Sequence, residues 1–80
     1  MPTHNDLSAA EYCKLHRFDV PAKNQEEAMR LHKLLCSKSS FDWSLEDEKA
    51  YAEIFMLEIN SPSRTFLTLS IIRHLQRHKQ

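Results

Sequence analysis

The stretch Asn24-Gln25-Glu26-Glu27-Ala28-Met29-Arg30-Leu31-His32-Lys33-Leu34-Leu35-Cys36 carries a helix in its pattern. Asn24 is a residue type that caps helix N-termini, and Glu26 and Glu27 follow where the positive end of the helix dipole favours carboxylates. Ala28, Leu31, Leu34 and Leu35 then recur at the spacing that lines one helical face. The pattern predicts a helix over 25–37.

The same logic extends upstream. Leu7-Ser8-Ala9-Ala10-Glu11 is a capping box, in which the Ser8 hydroxyl accepts from the backbone of Glu11 while the Glu11 carboxylate reaches back. A helix over 9–18 follows, ending ahead of Pro21, whose ring disfavours helical geometry at Val20. Downstream, Ser37–Trp43 is polar apart from its two aromatics and reads as a loop that Phe41 and Trp43 anchor to the core.

Ser44, followed by Glu46, Asp47 and Glu48, starts a third helix over 45–59. Leu45, Ala52, Phe55, Met56 and Ile59 mark one face, and Ala50, Ile54 and Leu57 widen it, so this helix is expected to be central. Asn60-Ser61-Pro62-Ser63 separates it from a fourth helix over 62–78, for which Pro62 suits the first position. That helix carries Phe66, Leu67, Leu69, Ile71, Ile72 and Leu75, and closes with the cationic His74, Arg77, His78 and Lys79 at the negative end of its dipole.

Composition agrees with the periodicity. Average usage of about 7% predicts five or six glycines in a chain this long, and this one has none among its 80 residues. Strand-turn-strand folds need glycine at positive-φ turn positions more than helical folds do. The expected class is therefore all-α: one compact four-helix domain, residues 1–80, with short connections. A core this small supplies only ~3–5 kcal/mol. Two broad apolar bands exceed what such a monomer needs to cover, so self-association as a homo-oligomer, a homodimer in the simplest case, is expected.

Acidic and basic residues balance at eleven each, which excludes a strong global field toward nucleic acid or anionic membrane. The charges are segregated along the chain, however. Lys14 to Lys38 is net basic, Asp42 to Glu58 is acidic with only Lys49 opposing, and Arg64, Arg73, Arg77 and Lys79 meet no acid. No apolar run approaches the ~18 residues of a membrane span, and the N-terminus lacks the pattern of a signal peptide. The expected location is the cytoplasm, without a membrane partner and with reduced thiols.

One constellation points to metal chemistry. Cys13 and His16 form a C-x₂-H pair on the first helix, and His32 and Cys36 an H-x₃-C pair on the second; each spacing places both residues on one helical face. Facing each other, the pairs would offer the Cys₂His₂ set of a structural zinc. The order inverts that of zinc fingers and lacks their knuckle, and the same residues also serve as small core cysteines flanked by half-wet histidines. Catalytic motifs are missing: no glycine-rich phosphate loop, no Gly-x-Ser-x-Gly elbow, and no third group to orient a Cys-His pair. The Asp42–Glu48 acids follow no calcium-loop spacing. The expectation is a non-enzymatic protein with no cofactor beyond that zinc alternative.

Leu7–Val20 resembles the first helix and turn of helix-turn-helix regulators, which implies DNA binding through the helix that follows. It departs from that family in having no glycine in the turn, in the intervening Pro21, and in the carboxylates of Glu26 and Glu27 at the end that should approach phosphates. A second nucleic-acid candidate is the last helix, where Arg64, Thr68, Arg73, Arg77 and Lys79 offer backbone and base contacts. The favoured expectation is protein recognition, with Phe41, Trp43, Tyr51 and Arg64 as anchors beside the acidic Glu46, Asp47 and Glu48. Charge reversal at those three acids is then expected to abolish partner binding and leave the fold intact. Size and composition are those of small inhibitors, anti-activators or adaptors of bacteria and phages.

Overall fold

The computed structural model describes residues 7–59 and 61–78. Among them the chain forms four α-helices: α1, Ala9–Leu15; α2, Gln25–Cys36; α3, Leu45–Ile54; and α4, Arg64–Arg77. No strand occurs among the described residues. The all-α four-helix reading holds. Each helix packs on the next, α1 on α2, α2 on α3 and α3 on α4.

The helix starts follow local chemistry. Ser8 Oγ accepts from the Glu11 N–H at 3.2 Å while Glu11 Oε1 accepts from the Ser8 N–H at 3.1 Å, so the capping box is complete. Ser44 caps α3 through the Asp47 N–H, and Ser63 caps α4 through the Thr65 N–H. Two starts differ from expectation. Asn24 makes no capping bond, because a 3₁₀ turn over Ala22–Asn24 runs straight into α2 and its backbone is already helical. Pro62 lies before the Ser63 cap instead of occupying the first helical position.

The helix ends differ more. Periodicity carries the first helix to residue 18 and the third to 59, yet α1 stops at Leu15 and α3 at Ile54. Each ends in a Schellman turn: the Phe18 N–H donates to the Cys13 carbonyl and the Arg17 N–H to that of Lys14, and the pair Leu57 to Ala52 and Met56 to Glu53 repeats the arrangement. The left-handed positions belong to Arg17, φ 61°, and Met56, φ 52°. Glycine is the usual occupant, and a chain without glycine must place side-chain-bearing residues there. Phe55, Leu57 and Ile59 consequently pack on the core from a non-helical segment.

The core joins Leu31 and Leu35 of α2, Trp43 of the loop, Tyr51 and Ala52 of α3, and Leu67 and Ile71 of α4. Tyr12 and Cys13 of α1 are buried as well, but they lie outside this cluster. The short first helix is thus held by a different set of contacts from the other three.

Candidate functional site

Two structures stand out from the helical scaffold: a loop pinned on both sides, and a seam of histidine and aromatic rings where α1 meets α4.

The loop between α2 and α3 contains a 3₁₀ turn, Ser40–Asp42, whose start is capped by Ser39 Oγ accepting from the Phe41 N–H. Trp43 closes it. Its indole Nε1 donates to the Leu35 carbonyl at 3.0 Å, and its own carbonyl accepts from Arg64 Nη2 at 2.8 Å. Arg64 in turn donates through Nε and Nη2 to Oε2 of Glu48, at 3.0 and 2.7 Å, and the Thr68 hydroxyl donates to Glu48 Oε1. Glu48 is fully buried, so its charge is matched inside the protein by one guanidinium and one hydroxyl.

That network leaves Phe41 outside. Phe41 is 96% exposed, on a turn capped by Ser39 at its start and tied down by the bonds of Trp43 at its end. Ser40, Phe41, Arg64, Thr65, Thr68 and Leu69 line a surface depression of about 380 Å³, and Phe66 and Leu69 of α4 are exposed too. Large apolar side chains standing in water next to a concave surface are the ordinary mark of a contact site.

The seam lies where α1 meets α4. His16 Nδ1 lies 3.1 Å from the carbonyl oxygen of His78, and His78 Nδ1 lies 2.8 Å from that of His16. A carbonyl can only accept, so both imidazoles carry hydrogen on Nδ1. Phe18 sits among the rings, with centroids 5.4 Å from His16, 4.8 Å from His32, 5.9 Å from His74 and 5.2 Å from His78.

Two of these histidines are buried and paired with tyrosines: Tyr12 Oη is 2.7 Å from His32 Nδ1, and Tyr51 Oη is 2.5 Å from His74 Nδ1. The phenol is the stronger acid of each pair, so the hydroxyl donates to the unprotonated nitrogen. Burial first, and then the neighbouring histidines and, for His74, Arg77, lower His32 and His74 to about 4. Burial likewise pushes Tyr12 up to about 12 and raises Tyr51. All four groups are neutral near pH 7.

The expected metal set does not converge. Cys13 is buried with its thiol toward the Gln25 carbonyl at 3.7 Å, and Cys36 is exposed with its sulfur 3.7 and 3.9 Å from the ring nitrogens of His32. His16 is engaged with His78 and His32 with Tyr12. Desolvation raises both thiols, the reverse of what ligation requires. Among the described residues no three His, Cys, Asp or Glu side chains are arranged to hold a metal ion.

The expected protein-binding set divides. Phe41, Glu46 and Arg64 reach the surface and Asp47 is half-buried, while Trp43, Glu48 and Tyr51 are buried in the fold. Contrary to expectation, Phe41 does not anchor the loop and Trp43 alone does. Glu48 belongs to no acidic face, and reversing its charge would place an ammonium against Arg64. The nucleic-acid set divides as well: Arg64 and Thr68 are tied to Glu48, Arg73 and Arg77 are exposed farther along α4, and Lys79 lies outside the described residues. Glu26 and Glu27 occupy the exposed first turn of α2, where a helix-turn-helix would meet phosphates.

Sequence reasoning did not place Ser40 or Leu69 beside Phe41, where they line the depression, and it missed the whole seam that joins Tyr12, Phe18, His74 and His78. Among the described residues no helix is long and apolar enough to cross a membrane. No protein-family model matches the chain, and no curated protein or solved structure matches it either.

Proposed function

We propose that this chain is a non-enzymatic binding module that recognises a protein partner through Phe41 and the adjoining depression. The observation that carries the reading is Phe41 itself, an almost fully exposed ring on backbone held by Ser39 and Trp43. An aromatic anchor carried on a tied-down backbone turn has less backbone entropy to lose on binding, and such anchors dominate interface energies. Leu69 and Phe66 supply further apolar area, and Arg64, half-exposed at its side chain, supplies a polar rim. A regulatory role as inhibitor, anti-activator or adaptor, in the cytoplasm, agrees with this arrangement.

The test replaces Phe41 with a photo-crosslinking phenylalanine analogue in the native cell, with Met56 replaced likewise as an exposed control. A single protein crosslinked from position 41 and absent from position 56, and lost from the Phe41→Ala protein in affinity capture, is the expected result. Equal crosslinking at both positions, or full retention by Phe41→Ala, overturns the assignment. A crosslink to a second copy of the chain would identify the partner as the homo-oligomer.

A second reading, nucleic-acid binding, has one observation in its favour. The bonds between His16 and His78 bring the C-terminal ends of α1 and α4 together, so that exposed Lys14 and Arg17 lie at the same pole as Arg77. Affinity for DNA that falls steeply with salt, with a slope flattened by Arg17→Ala and Arg77→Ala, would favour it over the Phe41 face.

A further inference from the structure

The histidine seam has a composition unlike the rest of the interior. His16, His32, His74 and His78 come from α1, α2 and the two ends of the last turns of α4, and all four pack around the ring of Phe18. His32 faces Tyr12 and His16 from α1 and Cys36 from its own helix, with His74 and His78 acting on it from α4. His74 faces Tyr51 and Phe55 from the α3 side, and His78 and Arg77 from its own helix. Lys33 adds a further cation 5.2 Å above the Tyr12 ring.

The charged side chains in that inventory, Arg77 and Lys33, are both cationic, and burial holds its phenols and the Cys36 thiol neutral. Among the described residues no aspartate or glutamate hydrogen-bonds or ion-pairs with any of the four imidazoles. A proton arriving at His32 or His74 would therefore create a buried cation with no counter-charge, next to other groups of the same sign.

The seam is also what holds α1 to α4. The main apolar cluster is built from α2, the loop, α3 and α4, and includes no residue of α1. α1 contributes Tyr12 and Cys13 to its contact with α2 and His16 to the reciprocal pair with His78. A separate network joins Trp43, Glu48 and Arg64, and none of its bonds involves a histidine.

We infer that the four-histidine seam is an acid-sensitive latch: protonation of the buried His32 and His74 parts α1 and the last turns of α4 from α2 and α3, while the network of Trp43, Glu48 and Arg64 stays closed. Opening hydrates His32 and His74 and lets their charges separate, and it uncovers Tyr12, Phe18 and Phe55. The inference is independent of the Phe41 face and survives if that assignment fails.

The test is a titration of the intact chain from pH 8 to pH 4. NMR follows the imidazole carbon-bound protons and amide protection factors by region, and fluorescence follows the single tryptophan. The expected result is that amide protection across α1 collapses at about pH 5, together with protonation of His32 and His74, while Trp43 emission is unchanged until lower pH. Replacing both buried imidazoles, His32→Gln with His74→Gln, retains an acceptor for each tyrosine and removes the proton site. It is expected to move the opening at least about half a pH unit lower. The latch is overturned if α1 stays protected to pH 4. It is equally overturned if the histidines titrate singly near their ordinary value in an unchanged fold, or if α1 and Trp43 are lost at one common pH. Should the double variant fail to fold, the titration of the unmodified protein decides the question alone.

Discussion

His16 and His78 each donate through Nδ1 to the other's backbone carbonyl, at 3.1 and 2.8 Å, across a separation of 62 residues. Each is the C-cap residue of its helix, so one exchange satisfies a terminal carbonyl on both α1 and α4. The exchange locks the tautomer of both rings and closes the chain into a ring of helices.

Removing either half should loosen α1 without unfolding the protein. His16→Ala or His78→Ala is expected to cost about 1 kcal/mol and to lower amide protection in α1 roughly fivefold. Because the two bonds form one unit, the double variant should cost less than the sum of the single variants, which a double-mutant cycle in urea measures.

The buried Glu48 makes Arg64 more important to stability than its exposure suggests. Arg64→Leu leaves a fully buried carboxylate with only the Thr68 hydroxyl, and is expected to lower stability by about 3–5 kcal/mol. Glu48→Gln, which keeps both acceptor and shape, should cost less than half of that. Replacing both residues by leucine should recover most of the loss in urea denaturation.

The two left-handed positions lend themselves to stabilisation. Met56→Gly and Arg17→Gly relieve the clash of Cβ with the following carbonyl, and each is expected to raise stability by about 0.5–1 kcal/mol. Met56→Val should do the reverse, since β-branched residues tolerate positive φ worst. Thermal unfolding of the three variants checks the order.

Stability should fall on mild acidification. His32 and His74 are lowered to about 4 in the folded state by burial, against an unfolded value near 6.5. The unfolded chain therefore binds more protons between those values. The folded state keeps its full advantage above pH 6.5 and loses it as pH drops toward 4, by about 1 kcal/mol per imidazole at pH 5.5. Urea midpoints at pH 7.5 and 5.5 give the difference, and the His32→Gln, His74→Gln protein should show a smaller one.

Phe41 and Trp43 lie two positions apart in one loop and should behave oppositely. Phe41→Ala is expected to leave stability within about 0.5 kcal/mol, because the ring already stands in water. Trp43→Ala should cost about 3–5 kcal/mol through lost burial and the lost indole bond to the Leu35 carbonyl. Circular dichroism melts of the two proteins separate a contact residue from a core residue.

Much of the architecture was legible before any coordinates. Ser8 with Glu11 and Ser44 start helices in the structure as their pattern predicts, whereas α4 starts at the Ser63 cap, past Pro62. Helix ends were less so, because the apolar pattern through Phe55, Leu57 and Ile59 continues past the point where the backbone turns left-handed at Met56. The candidate surface was legible in part. Phe41 and Arg64 were nominated from residue type, but Glu48 looks the same as Glu46 in a run of acids, and only α4 decides which of them is buried. His16 and His32 drew notice for their spacing with cysteines. The Cys36 sulfur does lie beside His32, but the bonds to His78 and Tyr12 come from other helices, where spacing carries no information.

The sequence by itself determined the all-α class, the Ser8 and Ser44 helix caps and the want of glycine at the helix ends, since these depend on interactions within a turn or two of chain. The tertiary structure decided which acid is buried, which aromatic is exposed, and that four histidines share one seam. Those outcomes depend on contacts between residues distant in the chain, and such contacts exist only once the helices have packed.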